Sequence, residues 1–351
     1  MLPAKATRTS QSGGDAILMK ATKEDFMESY QFSDALTGST VACFYPELMA
    51  GVDPALAGTG LAQTPALFFP GCSFINYALP LVQSVYDLLK GAGRVDGISL
   101  VCCGKILSYE HNGKEVRAAH EEQLREHVVA AGVKRIVTAC PNCVKAMREA
   151  FAVDERTSHI EIVPLSRELV DLGYRIDSEV ARAMVAAECP ASAAAQGGAA
   201  YFTPHDSCPD RDTGEFADAL REILPEGSVR EAAHNRRRSF CCGSILRAAG
   251  KPERGDEQAR RHGEEALEAQ GDVLVTSCVS CAFQLSHAQK SVPVFHYLEL
   301  LYDWRVQWTA ADQFMRLRFL FDDPIPPEEK SHRTFVELTG ASERDGEGEE
   351  A

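Results

Sequence analysis

No stretch of this 351-residue chain approaches the roughly 18 to 20 uninterrupted apolar residues that a membrane-spanning helix requires. Met1 to Lys20 carry scattered charge and lack the apolar block, about 7 to 15 residues long, of a secretory leader, so export is not expected. A Gly-x-Gly-x-x-Gly fingerprint is absent, and so is a P-loop. No bound flavin or nicotinamide is therefore expected on this chain. Positive charge is in short supply as well: 36 Lys and Arg stand against 51 Asp and Glu, a formal net charge of −15. Such a surface repels phosphate backbones and anionic lipid, which argues against nucleic-acid partners and against direct membrane insertion. The expected location is cytoplasmic.

What the chain has is cysteine. In a reducing compartment structural disulfides are disfavoured, so twelve cysteines point first to metal ligation. Setting Cys43 and Cys189 aside leaves two sets of five. The first reads Cys72, 29 residues, Cys102-Cys103-Gly104, 36 residues, Cys140-Pro-Asn-Cys143. The second reads Cys208, 32 residues, Cys241-Cys242-Gly243, 35 residues, Cys278-Val-Ser-Cys281. Matching cysteines are offset by 136 to 139 residues, and the flanks repeat too: Val137-Thr138-Ala139 answers Val275-Thr276-Ser277. Self-similarity at a fixed offset marks a duplicated unit of domain size.

Short apolar runs precede the cysteine groups: Ala66–Phe69, Ile98–Val101 and Ile136–Thr138 in the first copy, Ala200–Phe202, Ser239–Phe240 and Val273–Val275 in the second. Their length and aromatic or β-branched content predict buried strands. Helix-length stretches lie between them: Tyr77–Lys90, Glu115–Ala131, Glu215–Leu224 and Glu253–Ala269. Strands alternating with helices predict an α/β fold with parallel sheets, here two tandem homologous Rossmann-like domains. In such sheets a ligand sits beyond the strand C-terminal ends, where the cysteines cluster. The expected boundaries are an N-terminal arm at 1–61, a first domain at 62–187, a small-residue linker at 188–198, a second domain at 199–321 and an acidic, disordered tail at 322–351.

A Cys-x-x-Cys at a strand-to-helix junction places two sulfurs by the free N–H groups of a first helical turn, which favours thiolate and suits zinc and iron–sulfur equally. The Cys-Cys-Gly is more discriminating. Adjacent side chains diverge and rarely grip one ion, yet they can bind two atoms of a larger cluster, and the glycine lets backbone approach bulky sulfide. Zinc takes four ligands and an ordinary [4Fe–4S] cluster four thiolates, whereas each copy offers five.

This pattern, over about residues 62 to 310, resembles the CCG, or cysteine-rich, domain family. Two such units in a chain without a ferredoxin-type cysteine run are similar to the B-type subunits of heterodisulfide reductase. The resemblance implies that Cys72, Cys102, Cys103, Cys140 and Cys143 bind one noncubane [4Fe–4S] cluster, and that Cys208, Cys241, Cys242, Cys278 and Cys281 bind the other. It further implies an oxidoreductase subunit, active with a ferredoxin-type iron–sulfur subunit and a flavoprotein subunit, that reduces a small-molecule disulfide. Cys241 and Cys242 of the second copy are assigned to the catalytic centre. Related units also occur in iron–sulfur subunits of flavin-dependent lactate and glycolate dehydrogenases, where hydroxy-acid-derived electrons are passed on. A non-catalytic electron carrier or redox-sensing scaffold is the third reading.

Several further residues carry two readings each. His205-Asp206 before Cys208 could donate protons to a thiolate product, or serve as a partly exposed, satisfied histidine and a turn-forming aspartate. Lys105, Lys145 and Arg247 could balance cluster charge or simply face water. His287 and His296 read as core or surface residues more readily than ligands, Arg236-Arg237-Arg238 as a solvated face or a docking patch, and Cys43 and Cys189 as plain thiols.

Overall fold

Runs of only two to four apolar residues form stable strands here because they are buried on both faces and paired in parallel. The computed structural model describes residues 64–99, 102–109, 113–306 and 308. The expected arm at 1–61 and tail at 322–351 lie outside the described residues, as does Cys43.

The described chain divides into two compact units. In the first, β1 (Ala66–Phe69) leads into α1 (Cys72–Tyr77) and α2 (Leu79–Gly91) and pairs in parallel with β2 (Gly97–Ile98). Leu67, Phe68, Val82, Val85, Leu89 and Ile98 are fully buried, so the helical spacing of α2 packs one apolar face inward. The helix α3 (Gly113–Ala130) follows in the chain.

The second unit holds the remaining strands. β3 (Arg135–Thr138) runs into α4 (Pro141–Phe151) and pairs in parallel with β4 (Glu161–Pro164), which passes directly into α5 (Leu165–Asp171). Then come α6 (Ser178–Glu188), β5 (Phe202–His205), α7 (Glu215–Ile223), α8 (Ser244–Ala248), α9 (Pro252–Glu268), β6 (Val273–Thr276), α10 (Val279–Ala288), β7 (Val294–His296) and α11 (Tyr297–Tyr302). β5, β6 and β7 form a three-stranded parallel sheet in that order, with Phe202 opposite Val273 and Val275 opposite Phe295. The α/β architecture with parallel strands is as expected.

One expected strand is missing. Ser239–Phe240 forms no strand, because the ladder position beside Phe202 is taken by Val229, with Phe202 N–H donating to Ser228 O and Arg230 N–H to Phe202 O. The chain then turns through Arg236–Arg238 before Cys241-Cys242.

Asp206 fixes that turn. Its buried carboxylate accepts both Arg221 guanidinium nitrogens at 2.8 and 2.9 Å and the Arg236 backbone N–H at 2.6 Å. Its carbonyl accepts the Ser239 hydroxyl at 2.6 Å. One residue thus ties the end of β5 to α7 and to the segment that delivers the cysteine doublet. Asp206→Ala leaves the largely buried Arg221 with Glu231 as its one carboxylate partner, and a loss of about 1.5–3 kcal/mol in denaturant unfolding is expected.

Candidate metal centre

Each cysteine group lies where a strand or turn hands over to a helix. Cys140 and Cys278 are the residues immediately before α4 and α10, in extended conformation, while Cys143 and Cys281 sit in the first turns. Chain direction alone therefore sets both sulfurs of each Cys-x-x-Cys beside unsatisfied helical N–H groups. Cys208 begins a short 3-10 turn after β5, and Cys241-Cys242 leads through Gly243 into α8.

None of the eleven described cysteines is in a disulfide. In the first unit the thiol of Cys102 reaches Cys72 at 3.7 Å. In the second unit eight thiols form a continuous series of neighbours. Cys103 meets Cys143, Cys143 meets Cys140, and Cys140 meets Cys278. Cys278 meets Cys281, Cys281 meets Cys242, Cys242 meets Cys241, and Cys241 meets Cys208. The sequence predicted two sets; within this unit, members of both sets adjoin through Cys140 and Cys278. Cys189 is half-buried and stands apart from the series.

The series does not ionise evenly. Hydrogen bonds from Cys208 and then Cys242 hold Cys241 well below the ordinary thiol value, helped by the backbone N–H groups of Gly243 and Ile245. Cys140 and Cys281 hold Cys278 down in the same way, with the Cys281 N–H assisting. The neighbours take the complementary proton. Cys241 pushes Cys208 and Cys242 up, Cys242 pushes Cys281 up, and Cys103 and Cys140 push Cys143 up, all reinforced by burial.

The glycine after the doublet has a steric reason. Gly243 has φ +99°, and a Cβ there would lie 2.1 Å from Gly255 O in the first turn of α9. Gly104 repeats the arrangement with φ +75°, where a Cβ would lie 2.5 Å from the His120 ring.

Other residues singled out in the sequence fall mostly into structural roles. Lys145 lies 3.5 Å from Asp212, and Arg247 pairs with Asp256 at 2.5 Å while donating to Gln284. Lys105 is half-buried on a 3-10 turn. Arg236 pairs with Asp218. His287 is exposed and stacks on Phe283; His296 is buried and caps α11. His205 departs from expectation: it is 2% exposed rather than partly exposed, and neither ring nitrogen has a hydrogen-bond partner. Burial pushes its pKa down, so the ring is neutral. Sequence reasoning also passed over His262, which packs edge-on to His205 at 4.3 Å and stacks on Phe240 at 3.9 Å.

The model of the cysteine-rich domain, CCG, matches residues 66–148 and again residues 202–286. The chain is thus similar to the cysteine-rich CCG domain at two places. Both matches include the Cys-Cys-Gly and the Cys-x-x-Cys that lead into α4 and α10. A protein of Archaeoglobus profundus, named for its likeness to the B subunit of heterodisulfide reductase, is 27% identical over 119 residues, 31% of this chain and 40% of that protein. The match thus spans about two fifths of that relative's length. Among solved structures, an aspartate racemase homologue from Pyrococcus horikoshii is 11% identical over 72% of this chain and 99% of its own, at a TM-score of 0.27. The aspartate racemase of Picrophilus torridus is 10% identical over 73% and 99%, at 0.28. Likenesses this slight decide nothing about function.

The uneven ionisation and the crowded glycine can each be tested. In metal-free chain, Cys241 and Cys208 are both half-buried, yet only Cys241 is held as thiolate. Its pKa is lowered, so its reactivity persists as pH falls from 8 to 6, while an ordinary thiol slows about tenfold per unit. Alkylation followed by mass spectrometry is expected to label Cys241 at least ~10-fold faster than Cys208 at pH 7. Gly243→Ala is expected to cost more than about 2 kcal/mol in thermal unfolding, against about 1 kcal/mol for Gly173→Ala, which shares a positive φ but has open space around it.

Proposed function

We propose that the chain is the iron–sulfur subunit of a multi-subunit oxidoreductase, similar to the B-type subunit of heterodisulfide reductase and directed at a disulfide or related thiol substrate. The observation that carries this reading is the run of eight neighbouring thiols, five buried and three half-buried, with no disulfide among the described cysteines. Thiols packed this way gain little from one another, since S–H is a weak donor and burial opposes ionisation. A cation that takes up their electron pairs and displaces their protons accounts for the crowding.

The donor set suits iron–sulfur better than zinc. A single zinc ion uses four ligands, and the second copy alone contributes five cysteines to the series. Cys72, Cys102, Cys103, Cys140 and Cys143 are the proposed ligands of one [4Fe–4S] cluster, and Cys208, Cys241, Cys242, Cys278 and Cys281 of the other, both noncubane in keeping with the five-thiolate sets. When bound, such clusters supply one-electron chemistry at thiolate-held iron. The chain's own groups prepare for it: the N–H groups of Gly243 and Ile245 favour Cys241 as thiolate, and that of Cys281 favours Cys278. Cys241 and Cys242 are assigned to the centre that meets substrate. The partners proposed are a ferredoxin-type iron–sulfur subunit and a flavoprotein, in the cytoplasm. Among the described residues no helix is long and apolar enough to cross a membrane.

Oxygen-free purification with metal and sulfide analysis tests the reading. About eight irons per chain are expected, with acid-labile sulfide and negligible zinc, and Cys242→Ser is expected to reduce this to about four. The iron-loaded chain should cleave a disulfide when given a low-potential artificial donor. A colourless, iron-poor product filled with zinc overturns the proposal. Hydroxy-acid oxidation on adding a flavoprotein, without disulfide cleavage, replaces the substrate assignment by the lactate or glycolate type.

A further inference from the structure

His205 is buried against sulfur in a way that ordinary core packing does not explain. One ring nitrogen and the sulfurs of Cys242 and Cys281 all lie within 4.8 Å of one another, and all three residues are buried. Four other histidines of the second copy provide the comparison. His262 hydrogen-bonds the backbone of Cys241 and Phe240, His296 that of Ser277, and His234 reaches Glu265 at 2.5 Å. His287 stands at the surface. His205 is buried and neither of its ring nitrogens has a hydrogen-bond partner, a state that costs about 1–3 kcal/mol for an orphaned polar group.

The duplication supplies a second, independent comparison. Three residues before the first cysteine of each set stand Phe69 in one copy and His205 in the other. At the 138-residue offset of the third cysteine groups, Leu124 answers His262. Phe69 and Leu124 are each 1% exposed, so the fold accepts purely apolar residues at both places. Imidazoles in the second copy therefore serve something other than packing. The edge-on contact of His262, itself anchored to the Cys241 backbone, fixes how the His205 ring stands.

We propose that His205 adds an imidazole nitrogen to the donors of the second cysteine set, so that the metal centre there is held by thiolates and one nitrogen, where the first copy has Phe69 in the corresponding place. This rests on the iron–sulfur reading above and extends it. The three donor atoms lie close enough together to reach neighbouring irons of one cluster. A neutral nitrogen at one centre and not at the other makes the two electronically inequivalent. Where the imidazole takes the place of one thiolate at an iron, the potential of that centre rises, and the second centre is then the one electrons reach last.

The test uses the full chain grown with ¹⁵N-histidine, loaded with iron and reduced without oxygen, and read by pulsed EPR. A strongly coupled ¹⁵N from directly bound imidazole is expected in wild type and in H262L. It is expected to vanish in H205F, which installs the residue of the first copy, with iron content retained. Iron-loaded wild type without a strongly coupled ¹⁵N overturns the nitrogen ligand and leaves the iron–sulfur reading standing; so does a coupling that survives in H205F. Should H205F fail to fold, the wild-type spectrum decides alone. A wild-type chain that takes up no iron sinks both, and iron analysis of the same sample separates that outcome from the others.

Discussion

Packing thiols against thiols in a protein interior sets the terms for everything around them. Each sulfur that keeps its proton does so because a neighbour is a thiolate or because water is absent, and each that loses it needs donors close by. The second unit meets this condition at two points, Cys241 and Cys278, where backbone N–H groups of a following helix converge on sulfur. The helices are therefore more than cover for the sheet. Their first turns are the polar environment that lets some sulfurs carry charge where side-chain cations are few.

Those first turns are held in place by groups that never touch sulfur. Asp206 pins the segment before Cys241 to Arg221 of α7, and the closeness of α8 to α9 depends on Gly243 lying against Gly255 without a side chain. A buried ion pair between Arg135 and Glu168, at 2.5 Å, joins β3 to α5 in the same unit. Each of these fixes backbone where a thiol must be delivered. A polynuclear metal group demands several donors at once, so small displacements at any one of them are felt by all.

How much of this was legible in sequence depended on whether cysteines marked the spot. The strands ending at Phe69, Thr138 and Thr276 are followed within a few residues by cysteine, and the duplicated spacing exposed them. β4 and β7 went unread. Glu161–Pro164 and Val294–His296 are three or four residues long, carry no cysteine, and run straight into α5 and α11 without a turn residue to announce them. Ser239–Phe240 misled in the opposite sense: it precedes a cysteine pair and is apolar enough for a strand, but Val229 already occupies the ladder beside Phe202. The proposed ligating chemistry rests on the five-fold count, which is read from the sequence. The juxtaposition of Cys140 with Cys278 was not, because two copies in one chain say nothing of which ends meet.

Histidine burial was the least legible feature, and for a physical reason. Imidazole is tolerated inside and outside a protein, so its position in a sequence carries little information about solvation. Only the comparison of two copies on the same scaffold makes it informative. Where one copy places Phe69 and Leu124, the other places His205 and His262, one ring spending a nitrogen on backbone and the other spending neither. A duplicated fold proposed to hold the same inorganic group twice would be free to keep the cheaper apolar pair in both halves. That it does not do so in the half bearing Cys241 and Cys242 indicates that the two halves have diverged in chemistry while keeping their cysteine spacing.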